Sequence, residues 1–195
     1  MTRLSIPSIA CFLALASSAS ARAEEPGRTT YVTLEQQTVF SGGETVPDIN
    51  GTVVRFLRGP VGIYSFFYVD RDYADALVGP AFAPTAWLVL SAGAGIERAE
   101  EDGSWRVGGM IWAGNKRFTS VTFVETGASG FWARTEFAWR PARWAGVGVL
   151  ADLALGVGPR LEVNVPRTPI QVWGASLYDW KEDRPAAAAG IRLDL

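Results

Sequence analysis

The chain has 195 residues, with 18 basic and 20 acidic side chains, a net charge of −2, one cysteine and no histidine. That balance implies no polyanion partner such as nucleic acid, and a lone Cys11 allows no internal disulfide and no cysteine-based metal site. The 21 glycines and eight tryptophans weigh against a helical core and towards strands.

Residues 1–23 read as a secretory signal. Arg3 supplies the positive start, Leu4 to Ala16 the apolar run, and Ala21-Arg22-Ala23 a small-x-small cleavage site. The run is too short to cross a bilayer as a helix, which takes about 20 residues. Cleavage there removes Cys11 and leaves 24–195 as one domain.

From there the dominant pattern is a period of two. Less regular strands are expected near 30–40, 51–58, 61–70, 74–83, 117–125 and 170–180. Clear alternation marks the others. In "WLVLSAGAGIE" one face carries Leu88, Leu90, Ala92, Ala94 and Ile96, the other Ser91, Gly93, Gly95 and Glu97. "SWRVGGMIWA", "FWARTEFAW", "AGVGVLADLAL", "RLEVNV" and "AAGIRLDL" repeat the theme. Each has one mainly apolar face and one face of small or charged residues. Breakers rich in Gly, Pro, Asn and Asp separate the segments. The expectation is an all-β, antiparallel up-and-down barrel of about twelve strands, with ten or eight as alternatives, since single-chain bacterial barrels close with even numbers. Segments of about ten residues match the length a tilted strand needs to cross a bilayer. Odd-numbered connections, including a long one over 41–50, are expected on one side and tight turns on the other.

Which face meets lipid follows from composition. The polar faces hold Gly, Ser and isolated charges, and the chain has only two lysines, Lys116 and Lys181. Glycine on one face suits a crowded interior and gives a water surface nothing. Leu88, Leu90, Ile96, Val147, Val149, Leu153, Ile191 and Leu193 are therefore expected to face lipid. Tyr31, Trp87, Trp105, Trp139, Trp144 and Trp180 are expected near strand ends, as interfacial anchors. The competing reading is a soluble periplasmic, lipocalin-like barrel around an apolar small molecule, in which Leu88, Leu90, Val147, Val149 and Leu153 would point inward.

The cleavable signal, the repeated ten-residue strands, the aromatic strand ends and a last strand apolar at alternate positions resemble a small Gram-negative outer-membrane β-barrel family. The resemblance is one of pattern over the whole mature chain. It implies residence in the cell outer membrane among lipid and lipopolysaccharide, a monomer, and handling by the barrel-assembly machinery. Such chains usually end in Phe or Trp, whereas this one ends in Leu195.

The inward faces are expected to collect a charge network of Arg55, Asp75, Glu97, Arg106, Arg134, Glu136, Asp152, Arg160, Glu162, Arg192 and Asp194. Hairpin arithmetic sets Glu97 against Arg106 and Arg134 against Asp152, within salt-bridge reach. Such a network can plug the lumen by pairing buried charge or constrict a narrow channel. Outer-membrane barrel enzymes resemble one another in relying on histidine, which this chain lacks. No catalytic set, cofactor motif or metal site is read, and the expected role is structural or narrow-pore.

Overall fold

The computed structural model describes residues 30–99 and 102–195. The expected signal segment, 1–23, lies outside them. Twelve strands follow one another: β1 (Thr30–Ser41), β2 (Glu44–Arg58), β3 (Val61–Val69), β4 (Tyr73–Thr85), β5 (Leu88–Ala99), β6 (Asp102–Gly114), β7 (Phe118–Gly127), β8 (Gly130–Ala142), β9 (Ala145–Asp152), β10 (Gly156–Asn164), β11 (Ile170–Asp179) and β12 (Arg184–Asp194). Each pairs antiparallel with its sequence neighbours, and β1 pairs with β12, so the sheet is a closed barrel. Closure matters because an open edge in an apolar medium would leave backbone groups without partners. The seam runs to the last residue: Leu195 and Val32 exchange backbone hydrogen bonds of 2.8 and 3.0 Å.

The barrel has two ends. The turns after β1, β3, β5, β7, β9 and β11 lie at one, here termed the upper end. The turns after the even strands lie at the lower end with both chain termini of the barrel. The first upper connection corrects the sequence expectation. It is not a loop over 41–50 but a two-residue turn at Gly42 and Gly43, whose φ values of 58° and 85° are the left-handed pair that a tight hairpin requires. Pro47 lies inside that segment, within β2. It is tolerated because β2 pairs with β3 only from Ile49 onward, so Pro47 lies where the β1–β2 hairpin overhangs its neighbour and owes one strand fewer hydrogen bonds. A second correction lies at β9–β10. Leu153 belongs to a turn after Asp152, and Gly156 already starts β10.

The outer wall is apolar. Ile96, Leu161 and Ile111 are 71%, 62% and 50% exposed, and Leu90, Val147, Val149 and Ile191 also stand out from it. Leu88 and Leu193 share that face by alternation and are half-buried, as is Leu153 in its turn. Exposed aromatics gather at both ends. Phe82, Trp87, Phe118, Trp139 and Trp144 mark the lower one, and Phe40, Trp105, Phe131, Tyr178 and Trp180 the upper one. Tyr31 sits at the lower mouth, edge-on to Phe56 at 6.1 Å.

The inner wall is packed to contact. A Cβ built on Gly108 would lie 2.6 Å from Glu125 Cγ, and one on Gly190 would lie 2.8 Å from the Trp173 ring. Two apolar clusters fill part of the interior. Tyr64, Phe66, Leu77 and Met110 join residues of β2 to β7, while Val39, Leu150, Trp173 and Leu177 join β1, β9, β11 and β12. Among the described residues no helix is long and apolar enough to cross a membrane, which says nothing of crossing by strands.

Candidate functional site: the charged lumen

The alternation of β4 to β7 turns one charged residue from each strand inward near the upper end. Asp75, Glu97, Arg106 and Glu125 are all buried. Arg106 is the hub. Its Nε donates to Glu125 Oε2 at 2.6 Å and lies 3.3 Å from Asp75 Oδ2, and its Nη1 donates to Glu97 Oε2 at 2.6 Å. Glu97 also ties down the β7–β8 turn, accepting from the Ser129 backbone N–H at 2.8 Å and its hydroxyl at 2.6 Å. Tyr73 Oη donates to Asp75 at 2.9 Å, and the Arg106 guanidinium lies 5.5 Å from the Tyr73 ring centre.

The second network spans the opposite wall. Glu136 on β8 receives Arg134, Arg160 and Arg192, each at 2.7 Å. Glu35 on β1 receives Arg134 at 3.1 Å and Arg192 at 2.5 Å, and also the Trp173 indole N–H at 3.1 Å. Arg134 donates further to Gln37 at 2.9 Å. The Arg160 guanidinium carbon stands over Trp173, 4.1 Å from the ring centre, and Glu162 pairs with Arg140 at 2.6 Å. These bonds cross the lumen between strands that are not sheet neighbours, such as β1 and β8. They brace the barrel as well as neutralise it.

Of the eleven residues expected in the lumen, eight stand in these two networks. Asp152 lines the lumen beside them, accepting from Trp132 Nε1 at 3.3 Å and from the Ala154 N–H at 2.8 Å. Two expectations fail. Arg55 is exposed on the outer wall, because Val54 takes the inward position in β2. Asp194 is exposed at the lower mouth, held by Thr33 Oγ1 at 3.1 Å, because β12 has by then passed the lumen network at Arg192 and reached the barrel's end. The pairings are refined too. Arg134 and Asp152 are Cα partners as expected, but the guanidinium goes to Glu35, Gln37 and Glu136. Gly95, not Glu97, faces Arg106, and Glu97 reaches it on the diagonal.

Sequence reasoning missed Glu35, Gln37, Asp48 and Glu125, all buried in the lumen. Glu125 was hidden because β7 points Val121 and Phe123 inward along with it, while Ser120 and Thr122 face out. Polarity there gives the wrong phase. Glu35, Gln36 and Gln37 form a polar run with no alternation to read, although only Gln36 is exposed.

Between the networks and the upper rim lies a cavity of about 420 Å³, bordered by Asp48, Asp75, Glu125, Asp152 and the aromatic rings of Tyr68 and Trp132. Towards the lower end lies a void of about 20 Å³, beside Arg140 and Arg160. The lumen is therefore a vestibule open at the top over a floor of ion pairs and packed rings.

No protein-family model matches the chain, and no curated protein does. Solved structures do. One, described as "Unveiling the Mechanism Behind the in-meso Crystallization of Membrane Proteins", is 10% identical and superposes with a TM-score of 0.58 over 86% of this chain and 83% of its own. This likeness is one of fold: a closed antiparallel barrel. The translocator domain of the autotransporter NalP from Neisseria meningitidis is 9% identical with a TM-score of 0.38, covering 95% of this chain and 93% of its own. A mutant Rh. blastica porin is 8% identical with a TM-score of 0.34, covering 86% and 99%. At those two scores the likeness carries no weight for this chain.

Proposed function

We propose that the chain is a Gram-negative outer-membrane barrel, monomeric and without enzymatic activity, whose lumen is plugged by its own side chains. One observation carries the reading: the barrel is inside out. Its exposed wall holds large apolar residues between two aromatic rims, while fourteen of the described polar or charged residues are buried. A soluble barrel would bury the apolar set and wet the charged one; a barrel in lipid does the reverse. The lipocalin-like alternative also needs an uncharged internal cavity, and the upper cavity here has seven carboxylates in its wall beside its apolar side chains. The plugged reading is supported by the second network, whose ion pairs bridge the lumen between β1 and β8 and between β8 and β12.

A narrow pore is the second reading. The observation in its favour is that the floor is made of side chains alone, pinned by a few guanidiniums. Heat-modifiable gel migration after outer-membrane extraction, followed by planar-bilayer recording, tests both. The plugged reading predicts a faster-running unboiled band and no conductance steps. Steps in the native protein that change size in Arg106→Gln or Arg134→Gln would favour the pore.

A further inference from the structure

We infer that the upper vestibule is a binding site for an elongated organic cation: an alkyl chain bearing two or more ammonium or guanidinium groups. The inference needs the closed barrel of the proposed function but not its placement in a membrane.

Seven carboxylates border the cavity against three guanidiniums. Two of those three, Arg106 and Arg134, are already engaged by the networks. Around Arg106 the imbalance is buried, with Asp75, Glu97 and Glu125 facing one base. Surplus buried negative charge is costly until a positive group joins it.

The cavity wall also shows where such a group would bind. Asp48, Asp75 and Glu125 are only 3%, 7% and 2% exposed. Each borders the cavity, and each keeps one carboxylate oxygen without a hydrogen-bond partner. A buried acceptor left unpaired forfeits its hydration, and a ligand N–H would restore the bond. The free acceptors fall at two places: Asp48 on β2, beside Gln37, and the pair Asp75 and Glu125 on β4 and β7, which meet on Arg106. Among the described residues no three His, Cys, Asp or Glu side chains stand close enough to hold a metal ion. The spacing therefore selects several N–H donors on a chain over one bare ion.

The remaining wall suits the rest of such a molecule. Phe66, Tyr68, Tyr73 and Trp132 border the same cavity. Their ring faces attract ammonium and guanidinium groups and pack against methylenes. A volume of about 420 Å³ falls in the range of about 300–1,000 Å³ usual for small-molecule sites.

Isothermal titration calorimetry of the folded barrel in detergent, with spermidine as probe at fixed ionic strength, tests the site. Saturable heat is expected. Affinity should fall by about tenfold or more in Asp48→Asn and in Glu125→Gln. It should not change in Asp72→Asn, whose side chain stands in water outside the cavity. Equal heats from magnesium chloride, or undiminished spermidine affinity in Asp48→Asn, would overturn the inference. So would the absence of saturable heat, the outcome if Asp75 and Glu125 simply share a proton. Gel migration of each unboiled variant reports whether the barrel has formed. A folded barrel that ignores spermidine refutes the site and leaves the barrel reading standing, and the conservative Asp48→Asn decides the matter if Glu125→Gln does not fold.

Discussion

The two charge networks use the same residue types and differ in their balance. The Arg106 network sets one guanidinium among three carboxylates. The Glu136 network sets Arg134, Arg140, Arg160 and Arg192 among Glu35, Glu136 and Glu162. The first borders an open vestibule, and the second packs against the Trp173 ring. The contrast teaches that buried charge in one barrel serves two ends. Where base and acid are matched and cross the lumen, the network braces the fold. Where acid is in excess beside open space, the network is left able to take up a cation.

Substitution can break this contrast. The largest effect is expected for Glu136→Leu, which strands three guanidiniums around an apolar side chain. A loss of about 3–5 kcal/mol should appear in urea unfolding of the folded barrel in detergent. Arg106→Met should cost about 3 kcal/mol near neutrality, but its sign with pH separates the two. Stranded carboxylates can take up protons, so stability should recover as the pH falls from about 8 to about 5. Stranded guanidiniums cannot lose theirs, so Glu136→Leu should show no recovery. Equal pH profiles in the two variants would erase the distinction.

On the outer wall, Leu161→Arg places a charge in the middle of β10 where the native side chain is 62% exposed. In lipid vesicles this should cost about 2–4 kcal/mol. A neutral effect would mean that the outer wall meets water. The smallest change is expected for Ser129→Ala. It removes the hydroxyl that bonds Glu97 at 2.6 Å and should cost about 1 kcal/mol, read as earlier proteolysis of the β7–β8 turn.

The architecture was legible wherever polarity and alternation agreed. In β5, β9 and β12 the apolar face is also the outer face, so period two gave both strand and orientation. It failed where packing fills the lumen with rings. β7 turns Val121 and Phe123 inward, and Glu125 travels with them unseen. In β2 Val54 takes the inward place that Arg55 was expected to fill. The vestibule was not legible at all. It is assembled from Asp48, Asp75, Glu125 and Asp152 on four strands, and nothing in one strand's pattern reports what stands across the lumen. The turn at Gly42-Gly43 was overlooked because Pro47, inside the segment 41–50, weighs against a strand, and only the overhang of the hairpin makes it harmless.

In the proposed outer-membrane barrel the apolar wall faces lipid and the charged wall does not. Residues 24–195 contain no cysteine, so single cysteines can be placed along β9 from Ala145 to Ala151, nitroxide-labelled and reconstituted in vesicles. The account predicts a period of two. Labels at 147 and 149 should collide with oxygen dissolved in the bilayer and be shielded from a water-soluble nickel complex, whereas those at 148 and 150 should be shielded from both. Open access of the nickel complex to 147 and 149 in the presence of lipid would contradict it.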